Sequence, residues 1–250
     1  MTLPLFIVDE LPGAPDLGRV SVTGAEGRHA VSVKRMGVGE RVLVSDGRGR
    51  VAQGEVAAVI GRDELVVSIE QIEEFAEPVP SVTVVQALAK GDRADLAVEL
   101  MTELGVDQII PWSASRSIAQ WKADKADRGI EKWQITAREA AKQSRRPRIP
   151  VIGALESTLQ VVERIRTPDS GLVLVLHEDA LLSLVESLGR SQGVTAITLI
   201  FGPEGGIAPA EVDAFVSAGA TPVRLGREVV RTSTAGGAAC AVISALMHRW

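Results

Sequence analysis

The chain has 250 residues, 46% hydrophobic and 24% charged, with 27 lysines and arginines against 32 aspartates and glutamates for a formal net charge of −5. That balance excludes intrinsic disorder, which needs low hydrophobicity and a large net charge, and no run approaches the ~18 consecutive apolar residues of a membrane span. One cysteine, Cys240, leaves no disulfide framework or zinc cluster, and the opening residues lack a basic start and apolar stretch, so a reduced, cytoplasmic protein is expected.

The first seventy residues read as short strands between turns. Leu5–Val8, Arg41–Val44, Val56–Ile60 and Leu65–Ile69 are aliphatic or β-branched, and Asp46-Gly47-Arg48-Gly49 and Gly61-Arg62-Asp63 are turn formers. Strands this short at this spacing predict a small barrel or sandwich. Glu26 to Met36 mixes apolar and basic residues and predicts a short helix. Residues 73–80, with three glutamates and two prolines, read as a linker.

Beyond Pro80 the pattern alternates between strand and helix. Val82–Leu88 predicts a strand, and Asp92–Leu104 a helix with Leu96, Ala97, Leu100, Met101 and Leu104 on one face. Strands follow at Asp107–Pro111, Leu172–Leu176, Ala196–Phe201 and Pro222–Leu225. Helices are expected at Ala123–Ser144, Ala180–Leu188, Pro209–Ala218 and from the polar loop after Leu225 to about His248. Repeated strand–helix units imply an α/β fold with a parallel sheet covered on both faces.

Charge is unevenly spread. Arg19–Arg50 carries a local +4 and Arg116–Arg148 a local +6, while the rest of the chain is strongly acidic. Two readings stand: surfaces for a polyanion, or ordinary solvated faces.

In open α/β sheets, ligands bind outside the carboxyl ends of the strands. Three such ends carry unusual loops: Leu176-His177-Glu178, Phe201-Gly-Pro-Glu-Gly-Gly-Ile207, and Leu225 to Ala235 with Arg231, Thr232 and Thr234. Glycines 202, 205 and 206 leave backbone that a flat ligand can approach. The chain contains no G-x-x-x-x-G-K-[ST] or G-x-G-x-x-G, and its three histidines, His29, His177 and His248, are far apart. These features argue against a P-loop, a dinucleotide fingerprint and a metal cluster.

The pairing of Phe201-Gly-Pro-Glu-Gly-Gly-Ile207 with Leu225-Gly-x-x-x-x-Arg231-Thr-x-Thr-Ala235 resembles the deep-trefoil-knot (SPOUT) methyltransferases. Within them it is similar to the branch that methylates N3 of a uridine in 16S rRNA. Lys90-Gly-Asp-Arg-Ala-Asp, Glu103-Leu-Gly-Val106, Arg116-Ser117 and Glu139 to Pro150 agree with its catalytic domain. Arg28-His29, Lys34-Arg35, Gly39 and Asp46-Gly47 agree with its N-terminal RNA-binding barrel. Glu228 and Ser233 depart from the pattern, standing where a basic residue and a glutamate are usual.

The resemblance implies a PUA-like β-barrel over residues 1–72, a linker at 73–80 and a knotted SPOUT domain over 81–250. It implies S-adenosylmethionine as methyl donor, small-subunit rRNA as substrate, and a homodimer with the active site near its interface. The implied cofactor residues are Leu176, His177, Glu178, Phe201, Gly202, Pro203, Glu204, Gly205, Gly206, Ile207, Leu225, Gly226, Val229, Val230, Arg231, Thr232 and Thr234. Arg231 is also the expected catalytic residue. The RNA candidates are Arg28, His29, Lys34, Arg35, Lys90, Arg116, Arg145, Arg146 and Arg148.

Uracil N3 must lose a proton to become nucleophilic, yet the chain contains no tyrosine and arginine does not deprotonate. Arg231 therefore stabilises charge on the uracil oxygens or orients the donor. His177 reads either as a base or as a loop histidine. A non-catalytic RNA-binding assembly protein that keeps the fold without turnover is the alternative, and cofactor binding separates the two.

Overall fold

The computed structural model describes residues 3–13, 17–191 and 193–250. It divides into two compact units, one of Met1–Glu77 with Ala141–Ile149 and one of Pro78–Ala140 with Pro150–Trp250.

The first unit holds β1 (Leu5–Ile7), β2 (Arg19–Val22), α1 (Gly24–Arg28), β3 (Arg41–Ser45), β4 (Arg50–Ile60) and β5 (Glu64–Glu74). Alpha-1 continues as a π-helical turn over His29–Val33. The strands form one mixed sheet in the order β1-β3-β4-β5-β2, with β1 parallel to β3 and the other pairs antiparallel. Alternation explains the packing: Leu65, Val67 and Ile69 of β5 turn inward onto Phe6, Val22, Val42, Val44 and Val56, while their neighbours stay partly exposed. Strand β2 escapes the pattern reading because Arg-Val-Ser-Val buries only Val22 fully. Strands β4 and β5 are twice as long as expected, and β5 runs on to Glu74.

The segment Ala141–Ile149 belongs to this unit through specific bonds. Ile149 N donates to Gly47 O and Gly49 N to Pro147 O, each at 2.9 Å. Lys142 Nζ reaches Glu26 Oε1 at 2.8 Å, with both side chains nearly buried.

The second unit contains β6 (Ser81–Ala87), α2 (Asp92–Glu103), β7 (Gln108–Ser113), α3 (Ala123–Ser144, up to Ala140), β8 (Val151–Ile152), β9 (Glu156–Ser157) and α4 (Thr158–Ile165). It continues with β10 (Leu172–Leu176), α5 (Leu184–Gly189), β11 (Ala196–Phe201), α6 (Pro209–Ala218), β12 (Thr221–Val223) and α7 (Thr232–Leu246). The sheet runs β12-β10-β11-β6-β7-β8, with β9 also on β7, and all its pairings are parallel. Strands buried on both faces read as unbroken apolar runs, as Val82–Leu88 and Ala196–Phe201 do.

Helices α4 and α6 pack together, as do α2 and α7. Among the side chains beneath α4 and α6, Trp112 and Phe215 meet edge to face with centroids 5.2 Å apart. Cys240 is buried, as an apolar helix face dictates.

Helix α4 is absent from the sequence reading, although Ser157 and Gln160 form a reciprocal capping box at its start. The expected helix at Ala180 begins only at Leu184, where Ser183 caps it and Glu186 returns the bond. Among the described residues no helix is long and apolar enough to cross a membrane, and no group of side chains could hold a metal.

Candidate functional site

Strand β10 lies between β12 and β11, so the three loops singled out by sequence leave adjacent strand ends. They enclose a cavity of about 700 Å³ within the second unit. Sixteen of the seventeen expected cofactor residues line it, and Thr234 does not. Arg93, Arg116, Asp179, Pro209, Arg224, Arg227, Glu228 and Ala235 complete the wall.

The 202–207 loop is a built structure. Gly206 N closes a turn on Pro203 O at 2.9 Å, and Gly206 takes φ +71°, a conformation that favours glycine. A Cβ at Gly202 would lie 2.6 Å from Ile207 Cγ1, so the chain folds back on itself where no side chain fits.

Three other elements then hold this loop. The Thr232 hydroxyl, in the first turn of α7, donates to Gly202 O at 2.8 Å. Lys90 N, just before α2, donates to Glu204 Oε1 at 3.1 Å, with Arg93 Nη1 3.7 Å from the same oxygen. Arg116 Nη1 donates to Gly205 O at 3.3 Å. Glu204, expected among the cofactor residues, is thus also a tether. Arg116 and Lys90, expected to meet RNA, also brace this wall.

The 225–231 loop has a firm root and a loose tip. Arg224 N donates to Leu182 O and Leu184 N to Arg224 O, each at 2.9 Å, fixing the chain where it leaves β12. Beyond that point Gly226 to Val229 are exposed, Val229 to 76%. Arg231 is exposed at the N-cap of α7 and faces the cavity.

His177 anchors through its backbone, with N donating to Val223 O at 2.9 Å. Its Nδ1 accepts from Asp179 N at 3.3 Å, which in the neutral ring leaves the proton on Nε2. In that tautomer His177 offers the cavity a donor.

The basic candidates of the first unit separate by role. Arg28, Lys34, Arg35 and Arg145 are exposed. His29 packs its ring edge against Phe6, with centroids 6.5 Å apart. Arg148 donates to Phe75 O at 2.8 Å and also to Arg48 O, so its guanidinium ties strand ends together. Arg146 is half-buried and bonded within the fold. Trp112 and Trp133 are buried and Trp121 meets Trp133 edge to face at 5.3 Å, so these rings build core.

Sequence reasoning missed Arg93 and Gln86. Arg93 lay inside a quoted motif without a role. Gln86 is a lone amide in an apolar strand, and it bonds Thr232 from within the core.

Residues 76–244 match the model of the RNA methyltransferase domain family, and residues 22–70 that of the RNA methyltransferase PUA domain family. The chain is 42% identical over 253 residues to ribosomal RNA small subunit methyltransferase E of Mycobacterium bovis, covering all of this chain and 94% of that protein. It is 31% identical over 221 residues to the protein of the same name from Bacillus subtilis, covering 86% and 85%. The crystal structure of a ribosomal RNA small subunit methyltransferase E from Neisseria gonorrhoeae bound to S-adenosyl methionine superposes with a TM-score of 0.85 at 25% identity, covering 98% of each chain.

Proposed function

Because this chain belongs to the RNA methyltransferase family, alongside ribosomal RNA small subunit methyltransferase E, we propose that it transfers a methyl group from S-adenosylmethionine to N3 of a specific uridine in 16S rRNA. The observation that carries the reading is the single cavity formed by the ends of β10, β11 and β12, with backbone exposed on one wall and Arg231 on another.

The residues present fit the cofactor. Pockets for ligands of this size run to ~300–1,000 Å³, and the cavity is about 700 Å³. Leu176, Ile207, Leu225 and Val230 supply apolar surface for adenine, while glycines 202, 205 and 206 allow close approach of a flat ring. When bound, the cofactor supplies a methyl group on a positively charged sulfur.

The chain's own part is binding, orientation and charge. Arg231, permanently protonated, stabilises the negative charge that the uracil oxygens gain as N3 loses its proton. His177 presents Nε2–H and serves as a donor toward the substrate or cofactor, since accepting a proton at Nδ1 would break its bond to Asp179 N. Arg28, Lys34, Arg35 and Arg145 make phosphate contacts that position RNA without reading its sequence. Extruding the target base costs a few kcal/mol, which those contacts offset.

The same reading includes closure of the first sheet into a PUA-like barrel, a knotted second unit, a homodimer with the site near its interface, and residence in the cytoplasm.

Three measurements test it. Mass spectrometry of small-subunit rRNA from cells with and without the protein should show one N3-methyluridine lost in its absence; an unchanged rRNA refutes the activity. Calorimetry should show S-adenosylmethionine binding, and no binding at millimolar ligand would favour the non-catalytic alternative. Charge reversal at Arg145 should weaken RNA binding and lower its salt slope by about 1, one unit per phosphate contact; an unchanged slope removes that surface.

A further inference from the structure

Gln86 is fully buried on β6, with Val84, Val85 and Ala87 beside it in the strand and Leu88 just after. Its Nε2 donates to Thr232 Oγ1 at 2.9 Å and to Ala87 O at 3.1 Å. The Thr232 hydroxyl in turn donates to Gly202 O at 2.8 Å. A threonine hydroxyl has one proton. Here it is spent on the Gly202 carbonyl, so the group behind Thr232 must itself be a donor, and the amide meets that need with its nitrogen. The chain of bonds therefore has one direction: Gln86 to Thr232 to Gly202.

The arrangement has a cost, because Gln86 Oε1 is buried without a hydrogen-bond partner. An apolar side chain of similar shape would fill the same space and avoid that penalty. The gain lies in what the bonds join. Gly202 opens the glycine loop, and Thr232 begins α7 directly after Arg231.

We propose that Gln86 is a positioning residue for cofactor binding: through Thr232 it sets the spacing between the glycine loop and the α7 start that carries Arg231. This rests on the methyltransferase reading of the cavity. Gln86 itself touches neither cofactor nor RNA.

The test compares wild type with Thr232→Val, Thr232→Ser, Gln86→Met and the Gln86→Met/Thr232→Val double variant. The readouts are calorimetric S-adenosylmethionine affinity and KM for cofactor and for RNA separately. Thr232→Val should weaken cofactor binding about tenfold and Gln86→Met about three- to tenfold, with KM for RNA unchanged. Thr232→Ser should restore affinity to within about twofold, and the double variant should be no worse than Thr232→Val, because both break one chain of bonds.

Unchanged cofactor affinity in Thr232→Val and Gln86→Met, or equal rises in both KM values, overturns the proposal. So does full additivity in the double variant. A wild-type protein that fails to bind S-adenosylmethionine refutes the methyltransferase reading instead, so the two failures are distinct. Should Gln86→Met not fold, Gln86→Leu, alone and combined with Thr232→Val, decides by the same criteria.

Discussion

Two loops make opposite walls of one cavity, and they are held in different ways. Residues 202–207 are braced by α7 at Gly202, by the start of α2 at Glu204 and by Arg116 at Gly205. Residues 225–231 are fixed at their two ends, by the bonds of Arg224 to Leu182 and Leu184 and by those of Thr234 N and Ala235 N to Arg231 O, and Gly226 to Val229 between them are exposed. A pre-formed wall spends little ordering entropy when a flat cofactor arrives. A loose wall can close over cofactor and RNA together, and it is the one that carries Arg231. On the proposed reading both loops hold the cofactor, the first as a pre-formed wall and the second as the one that also brings Arg231 to the reacting base.

The largest effect expected from that division is on Arg231. Arg231→Ala should lower methyl transfer by ~10²-fold or more, the scale of a lost charge-stabilising donor, while its thermal midpoint stays at the wild-type value because the side chain is exposed. Full activity would place the reaction elsewhere. Gly202→Ala should act on the other wall, weakening cofactor binding by about tenfold, since the new Cβ would lie 2.6 Å from Ile207 Cγ1; unchanged calorimetric affinity would mean the wall yields freely.

Arg116→Ala removes one brace of three, and a rise of about two- to fivefold in cofactor KM is expected, in keeping with a partly exposed hydrogen bond. Hydrogen exchange offers the most direct comparison. On adding S-adenosylmethionine, amides of 225–230 should gain much more protection than those of 202–206. The reverse order would contradict the division of roles.

The smallest effect concerns the root of the loose loop. Glu186 caps α5 through Ser183, and those hydrogen bonds, aided by Arg190 and Arg224, hold its carboxyl below the ordinary value of 4.5. A depressed carboxylate contributes stability above its unfolded pKa and loses that contribution as pH falls through the folded value. Thermal midpoints of wild type and Ser183→Ala should therefore differ near neutral pH and converge in acid below 4.5. A constant gap would mean that the cap holds only through the serine.

Much of this was legible in the residues. Apolar runs at Val82–Leu88, Leu172–Leu176 and Ala196–Phe201 predict buried parallel strands because sheets covered on both faces leave no room for alternation. The glycine loop announces itself by composition, whereas Arg231 stands out only through the family resemblance. Other features carried weaker local signals. Helix α4 was hidden by β-branched Val161, Val162 and Ile165, whose packing against the sheet outweighs their helix propensity. Glu211, buried in α6, accepts from Ser115 N, Thr158 Oγ1 and Ala208 N and so joins three elements; its place at the helix start forecasts the bond to Ala208, but nothing near it in the chain forecasts the other two. Arg148 looks like a phosphate ligand in its basic run, yet it is consumed by backbone carbonyls of the first unit.

The order of residues alone thus determined most of the strands and helices, where bare backbone lies and where positive charge concentrates, because each is a property of neighbours along the chain. It did not determine that β10 would stand between β11 and β12, so that three loops meet in one cavity. Nor did it determine which cations would be spent inside the fold, or that Gln86 would reach across 146 positions to Thr232. Those outcomes depend on sheet order and on competition for buried hydrogen-bond partners, which exist only once distant segments have been brought together.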